Sequence, residues 1–228
     1  TIGVQFLRRG YNLGRSRAAP AALGWMMPGI MAVLLLLAIF RPKVNENGAL
    51  FFSESGPGSM YAPLLISLAA ALVIGFLAQR TRFCTMGSIR DVVLMGDTHL
   101  ISGVGALVLV AFATNLILGQ VNFGFFGQPV AHSQHLWNFL GMGLSGLAFA
   151  LAGGCPGRQL FLAGEGDGDA GVFVLGMITG AAFAHNFALA GVPDNVGAGT
   201  VGGIGVYGMA AVVVGLVVCA TIGLTMRD

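Results

Sequence analysis

Charge is what this chain most lacks. Asp, Glu, Lys and Arg make up 9% of its 228 residues, whereas 56% are hydrophobic and the mean hydropathy is +0.84. Soluble domains carry roughly a quarter charged residues, so this balance excludes an ordinary soluble fold. The net charge is only +2, and no basic stripe or aromatic platform is present, which leaves no footprint for nucleic acid. Cysteine is equally scarce. Three residues, widely spaced and odd in number, form neither a disulfide framework nor a CxxC zinc site. The glycine-rich stretch 197–208 lacks the lysine-serine ending of a phosphate loop and is expected to be a flexible lead-in to the last helix. Glycine itself is abundant, at 37 residues without a G-X-Y period, as expected of membrane helices packed closely through small residues.

An all-α, polytopic membrane protein is therefore expected, forming one integral membrane domain over 1–228. A bilayer-spanning helix needs about 20 apolar residues. Six segments approach or reach that length, at 21–40, 64–79, 100–119, 137–152, 171–191 and 204–226. The second and fourth are short and become long enough only by running on into the segments that follow. The first is not read as a signal peptide, because Arg41-Pro-Lys43 follows it without a small-residue cleavage site. Residues 1–20 are expected to be a basic cytoplasmic tail or linker. Basic residues set orientation. With the N-terminus inside, Arg8, Arg9, Arg15, Arg17, Arg80, Arg82, Arg90, Arg158 and Arg227 are cytoplasmic, and Arg41 and Lys43 are outside. Both termini are thus expected in the cytoplasm.

What the chain does have is a repeated order of span, cysteine, arginine and span. One copy reads Arg80-Thr-Arg-Phe-Cys84-Thr-Met-Gly-Ser-Ile-Arg90-Asp91, and the other reads Gly153-Gly154-Cys155-Pro-Gly157-Arg158-Gln159. The repeat units run over about 62–119 and 137–191. Each cysteine segment is too polar for lipid yet carries a short apolar run. A re-entrant half-helix reconciles the two, since irregular backbone at membrane depth needs surrounding protein or a water-lined cavity. Two ordinary cytoplasmic loops are the plainer alternative. Gly153, Gly154 and Gly157 permit turns and close backbone approach.

Cys84 and Cys155 are the leading site candidates. A lone membrane cysteine is usually a small buried hydrophobe. Here Arg82, Arg90 and Arg158, together with the positive end of a half-helix, suit a thiolate or an anion. Thiols beside guanidinium groups match a soft, sulfur-bearing anion. Arg90-Asp91 is either a ligand element or an ion pair anchoring its segment, because intramembrane charges usually pair. Arg158 has no adjacent carboxylate before Glu165 and is the better anion ligand. Asp97 and His99 stand at a helix mouth, where a solvated helix start is the default. His185 relays protons, contacts substrate or makes an interhelical hydrogen bond. Cys219 lies in the apolar run 212–220 and reads as packing. His132 and His135 have no third ligand in view, and Glu165, Asp167 and Asp169 match no calcium loop. No metal or cofactor is expected.

The segment from Leu77 to Asp91 and Leu151-Ala-Gly-Gly-Cys155-Pro-Gly-Arg158 resemble the two cysteine segments of the YeeE/YedE family of bacterial inner-membrane sulfur-transport proteins. The stretch 82–99, with Gly96-x-Thr-His99, is most similar to the YedE-type selenium transporters. The resemblance implies an inner-membrane permease for a thiosulfate-like sulfur or selenium anion, passed inward by cysteine thiols and arginines. It carries over to Cys84 and Cys155. It also implies that the chain corresponds to one half, the C-terminal one, of a longer two-half protein, with 8–17 a linker or the start of a compact variant. A TusA-like cytoplasmic sulfur carrier is the implied partner.

Two other function classes compete. One is a membrane sulfurtransferase, an enzyme carrying a persulfide on Cys84 or Cys155. The other is an aquaporin-like channel, which also combines six spans with two half-helices. No Asn-Pro-Ala motif occurs, and the dipping segments follow the second and fourth spans, which count against it. No nucleotide-binding motif is present, so transport would be passive or gradient-coupled.

Overall fold

The computed structural model describes residues 2–12, 20, 24–40, 61–126, 128, 131–195 and 197–226. Arg15, Arg17, Arg41, Lys43 and Arg227, which bear on the orientation argument, lie outside the described residues, as do 21–23 of the first expected span. Among the described residues the fold is all-helical, with two isolated antiparallel bridges and no strand. In chain order the helices are α1 (Ile2–Arg8), α2 (Met26–Phe40), α3 (Leu64–Thr81), α4 (Thr85–Met95), α5 (His99–Ile117), α6 (His135–Leu151), α7 (Pro156–Gly164), α8 (Gly168–Asn186) and α9 (Val206–Thr225).

Five stretches are long and apolar enough to cross a membrane: Leu64–Met95, His99–Ile117, His135–Gly164, Gly168–Asn186 and Val206–Thr225. The first and third run through a cysteine segment, so each joins a long helix to a short one. Five of the six expected spans are recovered this way. The remaining expected span, 21–40, is represented among the described residues by the 15 residues of α2.

The chain divides into two compact units, one from Thr1–Arg15, Cys84–Gly157 and Phe173–Asp228, the other from Ser16–Phe83 and Arg158–Val172. In the first unit α1 packs on α4, α6 and α9, while α6 packs on α9 and α4 on α5. The expected tail is thus a docked helix over Ile2–Arg8. Val4 is 1% exposed, and Phe6 joins Tyr11 and Leu151 in a buried cluster lined by Leu7, Leu147, Cys219 and Ile222. The Tyr11 hydroxyl donates to the Leu151 carbonyl at 2.8 Å, and burial, reinforced by the neighbouring Cys219 thiol, pushes its phenol up from the ordinary value. Arg8 donates to the Val93 carbonyl.

Close approach of the helices depends on missing side chains. A Cβ at Gly3 would fall 2.2 Å from the Ala150 Cβ, and one at Gly223 would fall 2.4 Å from the Phe6 ring. These are the small-residue contacts expected where apolar helices pack without a water-driven force. The glycine-rich lead-in to α9 also departs from the flexible segment expected. It is pinned by bridges Val192–Gly203 and Asn195–Thr200, and the Asp194 carboxylate accepts from Gly202 N–H at 2.7 Å and from Ser133.

In the second unit Met27 of α2 is buried, and its side chain lies 3.4 Å from where a Cβ on Gly171 would stand. Glycine at 171 lets these segments meet without a bump.

Candidate functional site

The two cysteine segments share a backbone design. At the end of α3, Arg82 N–H donates to the Gln79 carbonyl at 3.3 Å and Phe83 N–H to the Ala78 carbonyl at 3.0 Å. At the end of α6, Gly153 N–H donates to Ala150 at 3.3 Å and Gly154 N–H to Phe149 at 3.1 Å. Both are Schellman turns, which close a helix through one left-handed residue. That residue is Arg82 (φ 52°) in the first copy and Gly153 (φ 75°) in the second. The cysteine follows two positions later in each, at the mouth of a short helix. The repeat read as span, cysteine and arginine is therefore a repeat of local conformation.

Cys84 is the N-cap of α4, in extended backbone, and its Sγ accepts from Gly87 N–H at 3.2 Å. Cys155 N–H donates to the same sulfur at 3.5 Å, across 71 residues of sequence. The Cys155 thiol lies beside the same sulfur. Each cysteine is 8% exposed, and no disulfide joins the described cysteines. One sulfur thus faces two backbone donors, a second thiol and the positive end of an 11-residue helix. A Cβ at Gly87 would crowd the Cys84 Cβ at 3.2 Å, so a larger residue there would press on the site.

Beside this pair the first unit encloses a cavity of about 310 Å³. Val4, Leu7, Tyr11 and Asn12 form its α1 side, Met86, Gly87, Arg90 and Leu94 its α4 side, and Phe149, Ala150 and Gly153 the third wall. Arg90 is the charged member of this lining. Its guanidinium forms an ion pair with Asp91, with Nε and Nη2 both 2.9 Å from Oδ1. Of the two readings open for Arg90-Asp91, the ion pair is present, and the same arginine also borders the cavity. Asp91 is buried and Arg90 is exposed, so the carboxylate is the anchored end.

The remaining candidates are distributed differently. Gly154 is buried beside Cys155, whereas a Cβ at Gly157 would meet nothing within 4 Å. Arg158 and Gln159, on α7, belong to the second unit, as does Arg82. Within that unit Arg158 Nη1 donates to Gln79 Oε1 at 3.1 Å, and Gln159 is buried. Arg82 is exposed at its turn. His99 starts α5, where its backbone N–H donates to Asp97 Oδ1 at 2.9 Å, as a helix start requires. Asp167 does the same for α8, accepting from Ala170 N–H at 2.9 Å. His185 is exposed on α8, and its imidazole has no hydrogen-bond partner among the described residues. Tyr11, Asn12, Met86 and Phe149 border the cavity without having been singled out in the sequence.

These features define a multi-pass, all-α membrane protein built around a buried pair of thiols. The family model for sulphur transport matches residues 80–227, more than half of the chain, and the chain belongs to that YeeE/YedE family. The thiosulfate transporter TsuA of Escherichia coli (strain K12) is 26% identical over 107 residues, covering 47% of this chain and 30% of the relative. The match thus spans about a third of that relative's length. No solved structure matches.

Proposed function

We propose that this chain forms a permease path for a small sulfur- or selenium-containing anion of the thiosulfate type. It lies in the bacterial inner membrane with both termini cytoplasmic, and the two cysteine-bearing short helices are re-entrant. The observation that carries this reading is the meeting of Cys84 and Cys155, distant in sequence, at two matched helix starts. A terminal sulfur of low charge density is met by polarizable thiols, while its oxyanion end needs charge-assisted donors in low dielectric. Arg82, Arg90 and Arg158 supply charge, Gln159 supplies an amide, Gly154 closes the turn before Cys155, and Gly157 in the first turn of α7 leaves backbone donors approachable. A TusA-like carrier on the cytoplasmic side would receive the sulfur. Uptake of radiolabelled thiosulfate into proteoliposomes, with sulfate, selenite and sulfide as competitors, tests the proposal. No uptake above protein-free vesicles would end it. A trapped persulfide on either cysteine would instead favour the sulfurtransferase.

Two milder variants separate path from scaffold. Arg158→Lys keeps the charge but loses the planar fork that can hold two oxyanion oxygens. The apparent KM for thiosulfate should rise about tenfold, equivalent to roughly 1.4 kcal/mol, while expression and Tm stay close to wild type. An unchanged KM would remove Arg158 from the path. Cys219 packs against the Phe6, Tyr11 and Leu151 cluster. Cys219→Ala should therefore leave uptake intact and cost about 1 kcal/mol of stability, the worth of one buried methylene-sized group. Lost uptake in a well-folded protein would put a third thiol in the path.

A further inference from the structure

The transport reading uses the two thiols only as hydrogen-bonding groups, yet their arrangement permits a covalent reaction. Cys155 N–H lies 3.5 Å from Cys84 Sγ, so the two side chains are neighbours. Cα and N of one residue are about 1.5 Å apart, so the Cys84 sulfur stands within about 5 Å of the Cys155 Cα. Cys155 carries its own sulfur on that Cα through a single Cβ, so the two sulfurs stand within reach of each other. Rotation about the side-chain bonds can then bring the sulfurs together without moving a helix. Both residues belong to the first unit, so the pairing is built within it.

We infer that Cys84 and Cys155 are a redox-convertible dithiol, a modification site at which a small disulfide or polythionate oxidant closes an internal disulfide. For a polythionate the steps balance. Cys84, on losing its proton, attacks a central sulfur of tetrathionate, and thiosulfate leaves. Cys155 sulfur then attacks the Cys84 sulfur of the mixed species and expels a second thiosulfate. Two thiols and one tetrathionate become one disulfide, two thiosulfate ions and two protons. The consequence rests on the transport reading. A disulfide removes both S–H groups and locks the sulfurs together, so the path closes when oxidised sulfur anions accumulate and reopens on reduction.

The test uses the full chain in membranes with Cys219→Ala, which leaves only the two thiols of interest. Samples are treated with tetrathionate or with diamide, a neutral oxidant that takes two hydrogens from a thiol pair. They are then quenched, alkylated with a maleimide and digested for mass spectrometry. The expected result is a peptide linking Cys84 to Cys155, two hydrogens lighter than the sum of its parts. Alkylation should fall at least about tenfold at both positions and return with dithiothreitol. Cys84→Ser in the same background should yield no linked peptide. Uptake should vanish on oxidation and recover on reduction. If both cysteines remain fully alkylatable after diamide, or are linked only between separate chains, the inference is overturned. Linkage by diamide but not by tetrathionate supports the dithiol and counts against an anion path leading to it. A disulfide that forms while uptake persists leaves the modification standing and removes the pair from the path.

Discussion

Cys84→Ser and Cys155→Ser are each expected to reduce thiosulfate uptake at least about tenfold, a rise of roughly 1.4 kcal/mol or more in the transport barrier. The fold should survive both changes. Cys84 is an N-cap whose sulfur accepts from Gly87 N–H, and serine is among the best N-cap residues. Cys155 occupies the corresponding place before Pro156, which begins α7 where a missing N–H costs nothing. Serine therefore keeps a donor, an acceptor and a helix start at each position. What it removes is the large, polarizable sulfur that matches the terminal sulfur of the anion. Uptake in proteoliposomes is the readout, with Tm in detergent as the control for folding. Wild-type transport by both variants would make the cysteines packing residues, leaving selectivity to arginines and backbone donors.

The spans were legible because a bilayer imposes length and apolarity directly on sequence. Four helices lie close to their expected limits; α8 stops at Asn186, five residues short, and α2 contributes 15 described residues. Residues Ile2–Arg8 were not legible as a docked helix. Their neighbours Arg8 and Arg9 speak for a solvated tail, and seven residues are too few for periodicity to show which face Val4 and Phe6 bury. The repeat could be read from the order of cysteine and arginine, but its cause is conformational and only half visible. Gly153 announces a left-handed turn; Arg82 adopts one at φ 52° without glycine. The meeting of Cys84 with Cys155 and of Gln79 with Arg158 is tertiary, so no local pattern specifies either partner. The choice between ligand and ion pair at Arg90-Asp91 also needed coordinates, because adjacent residues of opposite charge do not always turn toward each other.

Gly3→Ala should destabilise the first unit, and Ala150→Gly should restore part of the loss. A Cβ at Gly3 would stand 2.2 Å from the Ala150 Cβ and 3.7 Å from the Ala150 Cα, so no side-chain rotation can relieve the overlap. Overpacking of this kind costs about 1–3 kcal/mol because backbone must shift. Alanine gains about 1 kcal/mol of helix propensity over glycine, which opposes that cost but does not outweigh its upper range. The segment that must yield is α1, which brings Phe6 to the buried cluster and Val4, Leu7 and Tyr11 to the cavity wall. Loosening it should lower Tm and also open the cavity beside Gly87, raising the rate at which a maleimide reaches Cys84. In the double variant the missing Cβ at position 150 makes room for the new one. Tm and labelling rate should therefore move back together, with a favourable interaction energy in the double-mutant cycle. A Gly3→Ala protein with unchanged or higher Tm and unchanged labelling would show that α1 does not seat against Ala150. The α1 wall of the cavity would then have no part in shielding the thiol pair.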